Sequence, residues 1–153
     1  MELYLVQHGE ARPETEDPTR PLTERGRAEV GRVAQAAARA GISLTRIEHS
    51  GKQRAQETAE IFAAALAPGA RLEHAPDLAP QDDPALAAGR VADLVVPTML
   101  VGHLPHLSRL ATLLVTGDSE HEIVAFRPGG IVSLTKTAGG WRVRWVLTPD
   151  VVP

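Results

Sequence analysis

Three short strand-like stretches of this chain end alike, in a side chain able to bind or attack and a glycine beside it. Leu3-Tyr4-Leu5-Val6 runs into Gln7-His8-Gly9-Glu10, Arg46-Ile47-Glu48-His49 into Ser50-Gly51 and then Arg54, and Thr98-Met99-Leu100-Val101 into Gly102-His103. A neutral imidazole is a nucleophile and a proton carrier near physiological pH. A guanidinium offers a planar fork of N–H donors that fits two oxygens of one anion. Glycine lets the chain turn tightly and lets backbone N–H groups come close to a ligand, as Gly9 would. If the three ends share one edge of a sheet, two histidines, an arginine and helix N-termini face a single cavity suited to a compact oxyanion. Arg20 is close enough to His8 in the chain to join them.

The elements that position these groups follow from the pattern around them. Uninterrupted apolar runs such as residues 3–6 and 98–101 suit strands buried on both faces, as in a parallel sheet, where reactive groups collect at the carboxyl ends. The stretch Ala11 to Pro21 holds Pro13, Pro18 and Pro21 and is a loop of functional length. Thr23 is placed to cap a helix whose apolar face is Val30, Val33, Ala34 and Ala37, with Gly41 ending it. A second helix is expected from about Lys52 to Leu66, stopped by Pro68-Gly69. Arg71 to His74 reads as a short strand, Ala75 to Pro84 as a loop, and Pro84 to Leu94 as a modest helix. The helix after residue 103 carries Leu107, Leu110, Ala111 and Leu114 on one stripe, with Gly117 beyond. Ile131 to Thr135 and Trp141 to Leu147 flank Ala138-Gly139-Gly140, a hairpin signal. Trp141, Val143, Trp145 and Leu147 alternate with Arg142 and Arg144, which predicts one exposed face. Alternating strands and helices imply an α/β fold, a three-layer α/β/α sandwich with a mostly parallel central sheet and an antiparallel edge hairpin. A single domain over residues 1–153 is expected from the length.

Composition narrows the function classes. A net charge of −3 gives no general attraction to nucleic acid or an anionic membrane, so neither is an expected partner. There are no cysteines, hence no disulfides and no thiolate metal sites. Met1-Glu2 leads straight into a strand without a basic and apolar leader, and no run of about 18 apolar residues exists, so a cytoplasmic location is expected. His103 and His106 are three apart, a spacing seen in metal pairs. Pro105 lies between them with no carboxylate or thiol alongside, so neither metal nor cofactor is expected. His106 reads as a first-turn helix residue at the rim of the cavity, His49, His74 and His121 as surface or strand-end groups, Lys52 as solvated, and both tryptophans as packing residues.

Three blocks, in order, carry a resemblance. Val6-Gln7-His8-Gly9-Glu10-Ala11 resembles the Arg-His-Gly signature of the histidine phosphatase superfamily. Ser50-Gly51-Lys52-Gln53-Arg54-Ala55-Gln56-Glu57-Thr58 resembles its second block, and Val101-Gly102-His103-Leu104-Pro105 its third. Arg20-Pro21-Leu22-Thr23, with Gly26 following, and the small size are similar to the SixA-type phosphohistidine phosphatases. The resemblance implies that His8 is a transiently phosphorylated nucleophile and that Arg54 and His103 act with it. Gln7, Gly9, Arg20, Ser50, His103 and Leu104 then form the phosphate-binding set, without a metal. The implied substrate is a phosphorylated protein bearing phosphohistidine, or alternatively a small phosphorylated molecule. Phosphoryl transfer is mostly positioning and charge stabilisation, which a neutral imidazole in line with phosphorus and a ring of donors supply.

Position 7 departs from the pattern, with glutamine where the family has arginine. A charged hydrogen bond contributes about 1.5–3 kcal/mol and a neutral one about 0.5–1.5, so the expected loss is on the order of 1–2 kcal/mol. A catalytically weakened phosphate- or phosphoprotein-binding module is therefore an alternative. The second gap is the general acid. Asp82 and Asp83 are the only acidic cluster in a comparable loop and also stand where they would cap the Pro84 helix; Glu10 is a lesser candidate.

Overall fold

A computed structural model describes all of residues 1–153. The element order is β1 Glu2–Gln7, α1 Glu24–Arg39, β2 Arg46–His49, α2 Gln53–Leu66, β3 Arg71–His74, α3 Pro84–Val91, β4 Thr98–Gly102, α4 His106–Thr116, β5 Ile131–Thr137 and β6 Gly140–Leu147. The strands form one sheet in the order β3-β2-β4-β1-β5-β6. The first four in that order run parallel, and β5 and β6 are antiparallel to their inner neighbours.

Alternation along the inner strands builds two cores. Tyr4, Val6, Met99 and Val101 point to the face covered by α1 and α2, whereas Leu3, Leu5 and Leu100 point to the face covered by α3 and α4. Both faces are buried, which is why these strands read as continuous apolar runs. The helices begin and end on local signals. Thr23 Oγ1 accepts from the Gly26 N–H (2.9 Å) at the start of α1, and Asp83 Oδ1 accepts from the Ala85 N–H (2.9 Å) at the start of α3. Gly41 and Gly117 adopt φ of +81° and +84° just past α1 and α4, where a side chain would be strained. Helix α3 ends at Val91 rather than Leu94, because the following residues tighten into a turn in which the Leu94 N–H donates to Val91 O (3.2 Å).

The edge hairpin departs from expectation in one respect. Leu134 pairs with Val143 but Ser133 pairs with Trp145, so Arg144 is an inserted bulge residue. The bulge reverses the facing of the strand halfway along. Trp141 packs with the α3/α4 core and Trp145 and Leu147 pack against the α1/α2 core, so the strand has no single wet face. No helix is long and apolar enough to cross a membrane.

Candidate active site

Strands β1 and β4 are parallel neighbours, with Gln7 directly across from Gly102. The chain leaves β1 for a helix on one face of the sheet and leaves β4 for a helix on the other. Such a reversal opens a crevice at the carboxyl ends of the two strands. His8 and His103 stand at its two sides, with ring centroids 5.0 Å apart and planes tilted by 54°. The His8 N–H continues the ladder to Gly102 O (3.0 Å). From the next strand outward, Ser50 reaches the same place, and its Oγ lies 2.6 Å from His103 Nε2.

The tautomer of His8 follows from its surroundings. Nδ1 lies 2.7 Å from Gly9 O, a carbonyl that can only accept, so Nδ1 carries the hydrogen and Nε2 keeps its lone pair. Burial pulls the His8 pKa down to about 4, and the positive charges of Arg54 and Arg20 push the same way, outweighing the Gly9 hydrogen bond. Burial, with His8, Arg54 and Lys52 nearby, pulls the His103 pKa down to about 3. Burial and then the charge of Arg20 lower the Arg54 pKa too, as expected for two guanidinium groups near one another. Both histidines are therefore neutral at pH 7, beside permanent positive charge.

The turn that aims His8 is fixed from three directions. The Gly9 N–H donates to Thr58 Oγ1 (3.0 Å), and Thr58 in turn donates to Arg54 O (2.8 Å), which ties the His8 turn to the arginine's helix. A side chain at Gly9 would meet Val30 Cγ2 at 2.7 Å, and one at Gly26 would meet Glu10 O at 2.2 Å. Glycine at both positions lets α1 close against the turn; the Gly9 N–H itself is spent on Thr58 rather than pointed at a ligand. Arg20 sits on the loop at φ +49°, a strained conformation for arginine, with Nε donating to Arg12 O (3.0 Å). Glu57 on α2 pins that loop by accepting from the Leu22 N–H (2.8 Å) and from Arg27 (2.5 Å).

The structure thus gathers His8, His103, Ser50, Arg54 and Arg20 at one edge, with Gln7 at the end of β1 and Leu104 just past His103. The Gln7 Oε1 is buried and has no donor. The three acid candidates hold local jobs. Glu10 Oε1 accepts from Thr23 Oγ1 (2.8 Å), Asp82 Oδ2 from the Ala79 N–H (2.9 Å), and Asp83 caps α3. His106 is not at the rim. It is fully buried in the first turn of α4, four residues before the buried Leu110, and neither ring nitrogen has a partner. Thr58 and Glu57 lie within the second sequence block but carry no local sign of their positioning roles. A buried ion cluster under β2 also escaped the sequence reading: Arg90 bonds Asp77 through Nε and Nη2 (2.8 and 2.7 Å) and Glu48 through Nη1 (2.5 Å).

Fold and geometry define an α/β protein with two neutral histidines and two guanidinium groups gathered at a strand-order reversal. A sequence model of the histidine phosphatase superfamily (branch 1) matches residues 3–82. The chain is also 34% identical over 146 residues to an uncharacterised protein of Picosynechococcus sp., covering 90% of this chain and 87% of that one. Among solved structures, the protein histidine phosphatase SixA complexed with tungstate superposes with a TM-score of 0.88 at 26% identity over 98% of each chain. The alpha-ribazole phosphatase of Shigella flexneri shares the fold, with a TM-score of 0.70 at 15% identity over 97% of each chain. This chain belongs to the histidine phosphatase superfamily, branch 1. SixA is a structural type that it matches along nearly the whole chain, and phosphatase is the class of function that goes with the family.

Proposed function

We propose that the protein is a metal-independent phosphatase that forms a phosphohistidine on His8 and acts on phosphohistidine in a protein. The observation that carries this reading is the His8 tautomer: Nδ1–H is held by Gly9 O and Nε2 is left unprotonated beside His103 and the guanidinium groups. The Nε2 lone pair attacks phosphorus while the bond from phosphorus to the substrate breaks. Water then attacks the phosphoryl group on Nε2, inorganic phosphate leaves, and the neutral ring is restored. Arg54, Arg20 and His103 hold the phosphoryl oxygens, with the Gln7 amide, the Ser50 hydroxyl and the Leu104 backbone completing the cradle. Charge stabilisation by these side chains takes the place a metal holds in other phosphoryl-transfer sites.

Leaving-group chemistry favours phosphohistidine over an alcohol ester. Glu10, Asp82 and Asp83 each use one oxygen in a local structural hydrogen bond and none is bonded to His8, Arg54 or His103, so none is tied to the His8 site as an acid for a departing alkoxide. A phosphohistidine whose second ring nitrogen is protonated departs as neutral imidazole and needs no such acid.

Turnover of phosphoramidate and p-nitrophenyl phosphate, with acid-labile ³²P labelling of the protein, tests the proposal. His8→Ala is expected to lower turnover by on the order of 10³-fold or more and to abolish labelling, as loss of a nucleophile does. Turnover that survives His8→Ala would overturn it. A phosphate-binding module, the alternative raised by Gln7, would bind tungstate yet release no phosphate in a His8-dependent way.

A further inference from the structure

The substrate-facing rim continues into a segment that the chemistry above does not use. Residues 118–130 form neither helix nor strand, and a connection of that length in a compact domain is uncommon unless it has a job. Helix α4 carries the chain away from the active edge and this segment returns it. Ser108 Oγ donates to Glu122 Oε1 (3.0 Å), and the Gly129 N–H donates to Gln7 O (2.9 Å). Between these anchors lie two hollows that share Leu104 and Glu122. One, of about 380 Å³, is otherwise lined by the run Ile123 to Phe126. The other, of about 250 Å³, is lined by Pro105, Ser108, Arg109, Ser119 and Glu120. Ile123, Glu120 and Glu122 are exposed.

The two sides of His8 and His103 differ in character. In sheet order β2 lies beyond β4, and β5, which follows the segment, lies beyond β1. The β2 side brings Ser50, Lys52 and Arg54; the β5 side brings an apolar hollow joined to one holding two carboxylates and one guanidinium. A phosphoryl group belongs to the basic side. Whatever carries it lies over the other. A folded partner presents several side chains around its phosphorylated one, enough to enter both hollows at once.

We propose that this trough receives the protein surface surrounding the substrate phosphohistidine and selects a partner with an aliphatic side chain beside a lysine or arginine there. The proposal rests on the phosphohistidine reading above. The aliphatic group enters the hollow of Ile123 to Phe126 and leaves water, and the base meets Glu120 and Glu122, a complementarity that sets partner choice more than affinity alone.

Two helical peptides carrying phosphoryltriazolylalanine, a non-hydrolysable phosphohistidine isostere, test this by fluorescence anisotropy. One places leucine and lysine a helical turn from the isostere, the other serine and glutamate. The wild type is expected to bind the first about tenfold more tightly, the scale of one buried apolar contact and one rim charge pair. Ile123→Asp and the double variant Glu120→Lys/Glu122→Lys, all at exposed loop positions, are expected to erase that preference. Tungstate affinity and p-nitrophenyl phosphate turnover remain at wild-type levels. Equal binding of both peptides by the wild type, or a preference that persists in both variants, would overturn the trough assignment while His8-dependent phosphoramidate turnover still stands. Should neither peptide displace tungstate, and turnover not depend on His8, the phosphohistidine reading fails and the trough with it.

Discussion

Two polar clusters lie near the carboxyl ends of the parallel strands, and they are built on opposite principles. Under β2, Glu48 is almost fully buried, yet Arg46 Nε stands 2.7 Å from one of its oxygens and Arg90 2.5 Å from the other, while Arg90 also grips Asp77. Charge there is matched by charge. Burial pushes the Asp77 carboxyl up, but the hydrogen bonds and charge of Arg90 more than reverse that and hold it low. At the β1/β4 crevice the reverse holds: Arg54 Nε, His103 Nδ1 and Gln7 Oε1 are buried without partners. Helix starts follow the same division. Thr23 and Asp83 cap α1 and α3, but no side chain caps α2 or α4, the helices that follow Ser50 and His103. A fold can hold buried polar groups tightly by pairing them, or leave donors such as Arg54 Nε unpaired, and only an unpaired donor can receive an anion; the Gln7 Oε1 acceptor cannot.

Breaking the matched cluster gives the largest expected effect on stability. Arg90→Ala strips Asp77 of its cation and leaves Glu48 with Arg46 alone, and loss of one member of a buried ion pair costs about 3–5 kcal/mol. Urea titration should show that loss. Turnover per folded molecule should change little, because Arg90 is bonded to Asp77 and Glu48 and to none of His8, Ser50, Arg54 or His103; a large fall in kcat at full folding would blur the contrast between the two clusters.

Acid sharpens the contrast from the other side. Neutral His8 and His103, with pKa values of about 4 and about 3, sit well below the ordinary imidazole value of 6.5. Between pH 6.5 and about 3 the unfolded chain binds protons that the folded chain refuses, so stability is full above pH 6.5 and falls as pH drops through that window. Thermal melts over that range measure it. On the proposed function His8 should also stay active in mild acid: once the substrate's own ionisation is divided out, the acid limb of kcat/KM should fall near pH 4 rather than near 6.5.

Much of this was legible in the chain itself. The apolar runs at residues 3–6 and 99–101 define the central strands because burial on both faces favours apolar side chains at successive positions, and the glycine-flanked strand ends mark the crevice. The Trp145 facing was not legible, because a single inserted residue at Arg144 leaves the alternation of the sequence intact while reversing it in space. His106 is legible in principle: its spacing from Leu110 places it on the buried stripe of α4, although a polar residue in the first turn more often lies at a rim. Thr58 and the Glu48–Arg90 pair were beyond reach, since each contact joins residues more than forty positions apart, with no local pattern on either side.

A smaller effect is expected at Gln7, where the unpaired crevice lacks a charge that the resemblance predicts. Gln7→Arg adds a guanidinium to the phosphate cradle. Trading a neutral hydrogen bond for a charged one is worth about 1–2 kcal/mol, which is roughly 5- to 30-fold in tungstate affinity and in kcat/KM for phosphoramidate. Calorimetric titration and steady-state kinetics check it. If the variant binds tungstate no better, Arg20 already supplies the charge that position 7 lacks.

The smallest effect is expected at Asp83, and it decides whether this residue belongs to the matched or to the unmatched part of the molecule. Its Oδ1 accepts the Ala85 N–H at 2.9 Å as the cap of α3. Asparagine caps a helix about as well as aspartate but cannot donate a catalytic proton as a carboxylic acid does. Asp83→Asn should therefore leave both melting temperature and turnover at wild-type levels. Asp83→Ala should cost about 1 kcal/mol of stability through loss of the cap alone. A general acid contributes about 10²- to 10⁴-fold, so a drop of that size in the asparagine variant at unchanged stability would move Asp83 into the chemistry. It would also remove the argument that the site lacks an acid for alcohol esters. Unchanged turnover leaves imidazole as the leaving group that this crevice is best built to release.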